Sequence, residues 1–401
     1  MTLESIQRPL LTRVLNLGDR ALRTAGIRRD RLIPEAVKAD AATATGLDDF
    51  GPNDFEEGLA VFCSTVEAEA GIDIVGRAVV RSFLRRILCN RLLLVDHRKR
   101  GVNEAELTMP PLIVLGLPRT GTTFLHRLLA QDPLAYGPPA WQVWRPLPRP
   151  GGLDRRREIT VQALEATRKL SPALNTKHYV EADEPEECYH LLDPSFRAAG
   201  LSMICHARGY FDWAREQDPT PAYRMYHEYL RIIQRSAPAK RLTLKTPLHT
   251  PYMENIAAEI PGVRFVQTHR DLGQIAGSFA SLCYSMFAVT SPQLNANAIG
   301  DLVVNLMRWM AQNSIEQRAR CNLSVVDVQY TDLVADPIAT VRRVYEEHGL
   351  EWTPAIEAAV SAGAAQRPQH KHGKHRYQLS DFGLTEKGVR AALGEYAERF
   401  G

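Results

Sequence analysis

The chain has 401 residues, 45% of them hydrophobic and 24% charged, with a formal net charge of +3. That balance belongs to a globular protein able to bury a full core; it excludes a disordered or fibrous chain, and its basic excess is too small to call for nucleic acid. The six cysteines (Cys63, Cys89, Cys188, Cys205, Cys283, Cys321) are scattered, with no Cys-x-x-Cys pair. This speaks against a zinc ribbon or redox dithiol, and predicts reduced thiols in a cytoplasm.

Residues 1–108 read as a helical cap. Leu3, Ile6, Leu10, Val14, Leu17 and Ala21 make a basic amphipathic stripe, for which packing on the domain competes with peripheral contact with a membrane. Charged residues interrupt it too often for a signal peptide, and no uninterrupted apolar run approaches membrane-spanning length. Asp54–Ala70 and Gly76–Leu94 also carry apolar faces. The acids Asp48, Asp49, Asp54, Glu56 and Glu57 are read as a helix start capped by Asn53 or Asp54, not as a metal site. Nothing catalytic is expected here; the region is a cap or a surface for homo-oligomer formation.

Pro111–Leu129, PLIVLGLPRTGTTFLHRLL, has the strongest signal. A buried strand runs into Gly116-Leu-Pro-Arg-Thr-Gly121, and a helix follows with Phe124, Leu125, Leu128 and Leu129 at helical spacing. Such a turn presents backbone N–H groups and a helix N-terminus to an anion. The spacing is G-x-x-x-x-G, but Thr122 stands where a nucleotide hydrolase needs Lys, followed by Thr123. The cation is Arg119, within the loop, which suits a 5'-phosphate carrying a short group better than a triphosphate.

The Pro-rich stretch DPLAYGPPAWQVWRPLPRPGG is predicted to lack regular structure and to border a mouth, and a helix is predicted from about Arg155 to Leu170. His178–Asp193 is acidic and reads as a helix start at Pro185, with Glu187, His190 and Leu191 turned inward. A strand over Leu242–Leu244 ends at Lys245, with His249 four residues on; another, Val263–Thr268, ends at Arg270, after which Asp271 caps a helix containing Ser278. A third, Ser324–Tyr330, continues into YTDLVADP. Side chains at the carboxyl ends of parallel strands gather at one ligand site. The tail HKHGKHRYQLSDFGL interleaves Lys374 and Arg376 with His370, His372 and His375; no acid or Cys stands nearby to complete a metal site.

Four of these segments, in order over roughly residues 105–401, resemble sulfotransferases that use 3'-phosphoadenosine 5'-phosphosulfate (PAPS). LPRTGTTFLHRLL is similar to their 5'-phosphosulfate loop, Arg270 with Ser278 to the R-x7-S pattern for the 3'-phosphate, YTDLVADP to a Y-x-D-L-x-x-D-P segment beside the nucleotide, and the basic tail to a loop that closes over it. The resemblance implies an α/β fold, a parallel sheet flanked by helices of the P-loop NTPase-like sulfotransferase type, over residues 109–401, with an acceptor-site insertion at about 138–240. It implies that Arg119, Thr120, Gly121, Thr122, Thr123, Arg270, Ser278, Tyr330, Lys374 and Arg376 bind PAPS and its product PAP, without metal. Lys245 would meet the charge on the departing bridging oxygen. The acceptor is a hydroxyl or amine of a small molecule, lipid or glycan. Relatives tend to carry Glu after the Trp beyond the loop helix, but Trp141 is followed by Gln142, so the base is expected elsewhere: Glu187 first, His249 second, Glu184 third. A kinase with a degenerate loop and a non-catalytic PAP- or PAPS-binding protein are the rival readings.

Overall fold

The computed structural model describes residue 14 and residues 31–102, 104–366 and 378–401. The amphipathic stripe of residues 3–21, apart from Val14, and the basic residues Lys374 and Arg376 therefore lie outside the described residues.

Five strands form one parallel sheet in the order β2-β3-β1-β4-β5: β1 Leu112–Gly116, β2 Ala135–Tyr136, β3 Arg241–Lys245, β4 Arg264–His269 and β5 Val325–Gln329. From the central β1 the chain goes first to β2 and β3 on one side, then to β4 and β5 on the other. A crevice opens at such a reversal, at the carboxyl ends of the strands. Both faces of β1 are covered, which explains its uninterrupted apolar run. Ile113 and Leu115 share a core with Leu242, Leu244 and Phe265; Leu112 and Val114 face the other way, against Leu125, Leu128 and Leu129 of the helix Thr122–Leu129.

The helices Pro34–Thr45, Glu56–Glu69 and Ile74–Lys99 build a core with Phe196, Leu201 and Tyr210, so the amino-terminal cap is welded to the 196–214 segment. Neither Asn53 nor Asp54 caps a helix through its side chain, contrary to expectation. The Asp54 carboxylate instead meets the buried Arg91 guanidinium at 2.6 Å, and Arg91 also donates to the carbonyls of Phe50, Pro52 and Pro194. An Arg with this many acceptors locks three chain segments together.

Three further expectations change. The Pro-rich stretch contains β2 and a short helix, Ala140–Trp144, because its prolines fall on either side of the helix and none within it. Residues 182–186 do not start a helix. They run alongside that short helix and supply acceptors for its orphan donors: Ala140 N–H donates to the Glu184 carbonyl and Trp141 N–H to the Ala182 carbonyl, each at 3.1 Å. A 3-10 turn begins only at Cys188. Finally, the helix Leu272–Thr290 is long and apolar enough to cross a membrane, by length and composition alone. Most of it is buried here, in a core with the helices Ala296–Arg320 and Glu386–Leu393. Among the described residues all six cysteines are unpaired.

Candidate active site

The loop after β1 is built on three positive-φ positions: Gly116 (φ 133°), Arg119 (φ 72°) and Gly121 (φ 96°). A Cβ on Gly121 would lie 2.7 Å from the Tyr330 ring, so glycine serves both the backbone angle and the close approach of the aromatic. Thr120 turns inward: its hydroxyl donates to the Leu117 carbonyl and meets the Thr268 hydroxyl at 2.6 Å. It holds the loop against β4 and does not line the cleft. Gly121, Thr122 and Thr123 do line it, at the amino end of the helix Thr122–Leu129.

The cleft has a volume of about 310 Å³. Part of its lining is polar, with the loop residues, Arg119, Arg270 and Tyr330, and part is apolar or aromatic, with Tyr189, Met203, Leu248, Phe279, Leu282 and Met286; Glu187 and His178 line it as well.

Two guanidiniums serve the polar part. Arg270 Nη1 donates to the Arg119 carbonyl at 3.3 Å and Nη2 to Gln274 at 2.9 Å, while the group stacks on the Tyr330 ring 4.1 Å away. Its Nε is buried with no partner among the described residues. Arg119 Nε donates to the Ser278 hydroxyl at 3.0 Å and its Nη1 to the Lys177 carbonyl at 3.3 Å. The structure therefore places Ser278 against Arg119. Asp271 caps the helix that carries Ser278 by accepting from Gln274 N–H, as expected.

Lys245, at the end of β3, is 1% exposed and points its ammonium at Glu187 Oε1, 2.7 Å away; Glu187 Oε2 accepts from the Thr246 hydroxyl at 3.3 Å. Burial alone would raise the Glu187 carboxyl, but the Lys245 ammonium, with His178 and His190 adding to it, holds it below the usual carboxylate range.

The other base candidates stand elsewhere. His249 is fully buried, with Nδ1 2.9 Å from the Tyr223 hydroxyl and Nε2 3.2 Å from that of Tyr226 and 3.3 Å from Cys188 Sγ. Burial pushes it down to about 3, and it does not line the cleft. Glu184 also lies off the cleft, 3.7 Å from Arg127. Gln142 is buried and structural: it accepts from the Tyr136 hydroxyl and donates to Ser236, both at 2.8 Å. His178 and the apolar wall are functional candidates that sequence reasoning passed over. Phe279, Leu282 and Met286 carried a readable signal, since positions i, i+3 and i+7 share a helix face. Among the described residues no group of three His, Cys, Asp or Glu side chains is arranged for a metal ion.

The family model described as "Sulfotransferase family" matches residues 110–354. The omega-hydroxy-beta-dihydromenaquinone-9 sulfotransferase Stf3 of Mycobacterium tuberculosis is 24% identical over 309 residues, covering 75% of this chain and 78% of Stf3. Among solved structures, sulfotransferase STF1 from Mycobacterium tuberculosis is 31% identical with a TM-score of 0.79, covering 92% of this chain and 100% of that one. Sulfotransferase STF9 from Mycobacterium avium is 26% identical with a TM-score of 0.81, covering 93% and 98%. The five-stranded parallel sheet and its loop are thus the P-loop-like sulfotransferase fold, and the chain belongs to the sulfotransferase family.

Proposed function

We propose that this sulfotransferase takes its sulfuryl group from PAPS and delivers it to the hydroxyl of an apolar, lipid-like alcohol. The carrying observation is one cleft whose lining joins the loop and two guanidiniums to six apolar or aromatic side chains, with Glu187, the partner of Lys245, on the same wall. The polar part of the lining fits a nucleotide bearing phosphates: the buried, partnerless Arg270 Nε calls for an anion, and the Tyr330 ring offers a stacking face beside it. PAPS supplies a sulfuryl group on a phosphate leaving group, so the work left to the protein is positioning and electrostatics. The loop amides and Arg119 hold the 5' end, Arg270 and Ser278 bracket the 3'-phosphate region, and Lys245 faces charge that develops on the departing oxygen. The apolar wall supports a lipid over a glycan, because six hydrophobic or aromatic side chains leave few partners for sugar hydroxyls. Stf3, whose name assigns it a hydroxylated menaquinone, supports the same acceptor class.

The non-catalytic reading drew on Gln142, and that residue is engaged in the fold away from the cleft. Incubation with 35S-labelled PAPS and 1-hexadecanol dispersed in detergent should give a labelled alkyl sulfate; PAP binding without transfer to any alcohol or phenol would defeat the proposal. Arg270→Ala should weaken PAP binding about 10- to 100-fold, the loss of a charge-assisted contact of about 1.5 to 3 kcal/mol. Titration calorimetry measures this, and an unchanged affinity would remove Arg270 from the donor site.

A further inference from the structure

We propose that His178 is the group that takes the acceptor's proton, and that Glu186 is the positioning residue that orients its ring. This rests on the transfer reading above.

The ionisable groups on the cleft wall are Arg119, His178, Glu187, Tyr189, Arg270 and Tyr330. The two guanidiniums are permanent donors. Tyr189 is kept neutral by burial and by the Asp193 and Glu187 charges, and a neutral phenol is a poor base. Glu187 has both oxygens engaged, one by Lys245 and one by Thr246. A proton on Glu187 would dismantle its pair with Lys245 in the same step that gives Lys245 a charge to face. His178 carries no such obligation, and its side chain is 33% exposed at the cleft.

What surrounds His178 matches what a base requires. Its Nε2 lies 3.8 Å from Glu186 Oε1, just beyond hydrogen-bond reach, a spacing that commonly tightens once substrates are bound. Glu186 itself is 7% exposed, and the same Oε1 accepts from the Glu187 backbone N–H at 2.9 Å, so the carboxylate has a fixed place from which to hold one ring nitrogen. The other nitrogen is then left for the proton, the arrangement of an imidazole oriented by an acid. The preceding residue is anchored twice. The Lys177 carbonyl accepts from Arg119 in the loop, and its ammonium donates to the Ser285 hydroxyl at 2.7 Å and the Ser281 carbonyl at 3.3 Å. The arginine that serves the donor end thus reaches the peptide next to His178, tying the base to the loop.

The step balances. The acceptor O–H bond breaks and its proton passes to an imidazole nitrogen, the new O–S bond forms, and the S–O bond to the phosphate breaks with its electron pair on the bridging oxygen near Lys245. Glu186 and Glu187 compensate the imidazolium.

The experiment uses the full chain, labelled PAPS and 1-hexadecanol, with PAP affinity measured separately. His178→Ala should lower kcat at least 100-fold while PAP affinity stays within about twofold, and added imidazole should restore part of the rate. Glu186→Gln should lower kcat less, and imidazole should not restore it. His178→Ala turning over within threefold of wild type, with Glu187→Gln inactive, would overturn the assignment in favour of Glu187. Loss of activity in His178→Ala together with PAP binding, or without any response to imidazole, would make His178 structural and overturn it as well. A wild-type chain that binds PAP and sulfates no alcohol defeats the transfer reading itself, and the assignment with it.

Discussion

Lys245→Ala is expected to lower kcat by about 10²- to 10³-fold, the usual cost of removing one preorganised group aimed at developing charge in a dry site. It should also destabilise the fold by about 3 kcal/mol, for a separate reason. Lys245 is 1% exposed and Glu187 18%, so truncation strands a carboxylate where water reaches it poorly, and breaking a buried pair from one side leaves that charge uncompensated. The two effects part in the double variant. Lys245→Ala with Glu187→Gln removes the stranded charge and should recover most of the lost stability, yet it should not recover kcat. Urea unfolding and single-turnover rates read the two quantities independently. A single variant within fivefold of wild-type turnover would remove Lys245 from the reacting centre. The pair has a pH signature too. Because the folded-state pKa of Glu187 is depressed, its contribution to stability is complete above the ordinary carboxylate range and is lost as pH falls through the lowered value.

The loop after β1 was readable in the sequence because its signals are local: a strand, a glycine-bounded turn and a helix placed it, and the structure holds Gly121 there at φ 96°. Lys245 and Arg270 were readable because Lys245 ends one strand of a parallel sheet and Arg270 directly follows another, where direction is set by topology. The rest of the cleft resisted because its geometry is made by contacts distant in sequence. His249 follows Lys245 by four residues, but the 3-10 turn Pro247–Tyr252 carries its ring into the core against Tyr223 and Tyr226. Gln142 looked like a vacancy in a catalytic pattern, yet its short helix points it at Tyr136 and Ser236.

The acidic run at 181–187 shows the same limit more sharply. Local propensity favours a helix start at Pro185, but the orphan N–H donors of the helix Ala140–Trp144 take its carbonyls first, and the run becomes a turn at Ala182–Asp183 followed by an extended brace from Pro185. That extension is what separates Glu186 from Glu187, one side chain turned to His178 and the other to Lys245. In a helix the two would lie about 100° apart on one surface; in extended backbone they face opposite ways. A pattern that looked like one acidic patch is two acids with two different partners.

Lowering the pH from 7 to 5 is expected to cost the fold about 4 kcal/mol through His126 and His249 alone. Both are fully buried and both are pushed down to about 3, chiefly by burial, with the Lys245 ammonium adding to the effect at His126. An unfolded imidazole binds its proton near pH 6.5. Between that value and about 3 the unfolded chain therefore carries a proton on each histidine that the folded chain does not, and stability falls with falling pH by about 1.4 kcal/mol per unit for each. Above pH 6.5 the slope fades, as the unfolded imidazoles lose their protons too. His190, His206, His227, His269 and His348 are shifted in the same direction, again mainly by burial, so they steepen the fall. Neither ring has an acid in contact to balance the charge: His126 Nε2 donates to the Thr243 carbonyl at 2.9 Å, its Nδ1 is buried with no partner among the described residues, and His249 sits among two phenols and a thiol. Urea unfolding at pH 7 and pH 5 measures the difference, and equal stability at the two would refute it. His249→Gln should flatten the dependence by about 1.4 kcal/mol per unit while leaving the sign unchanged, because a glutamine offers no site for the proton.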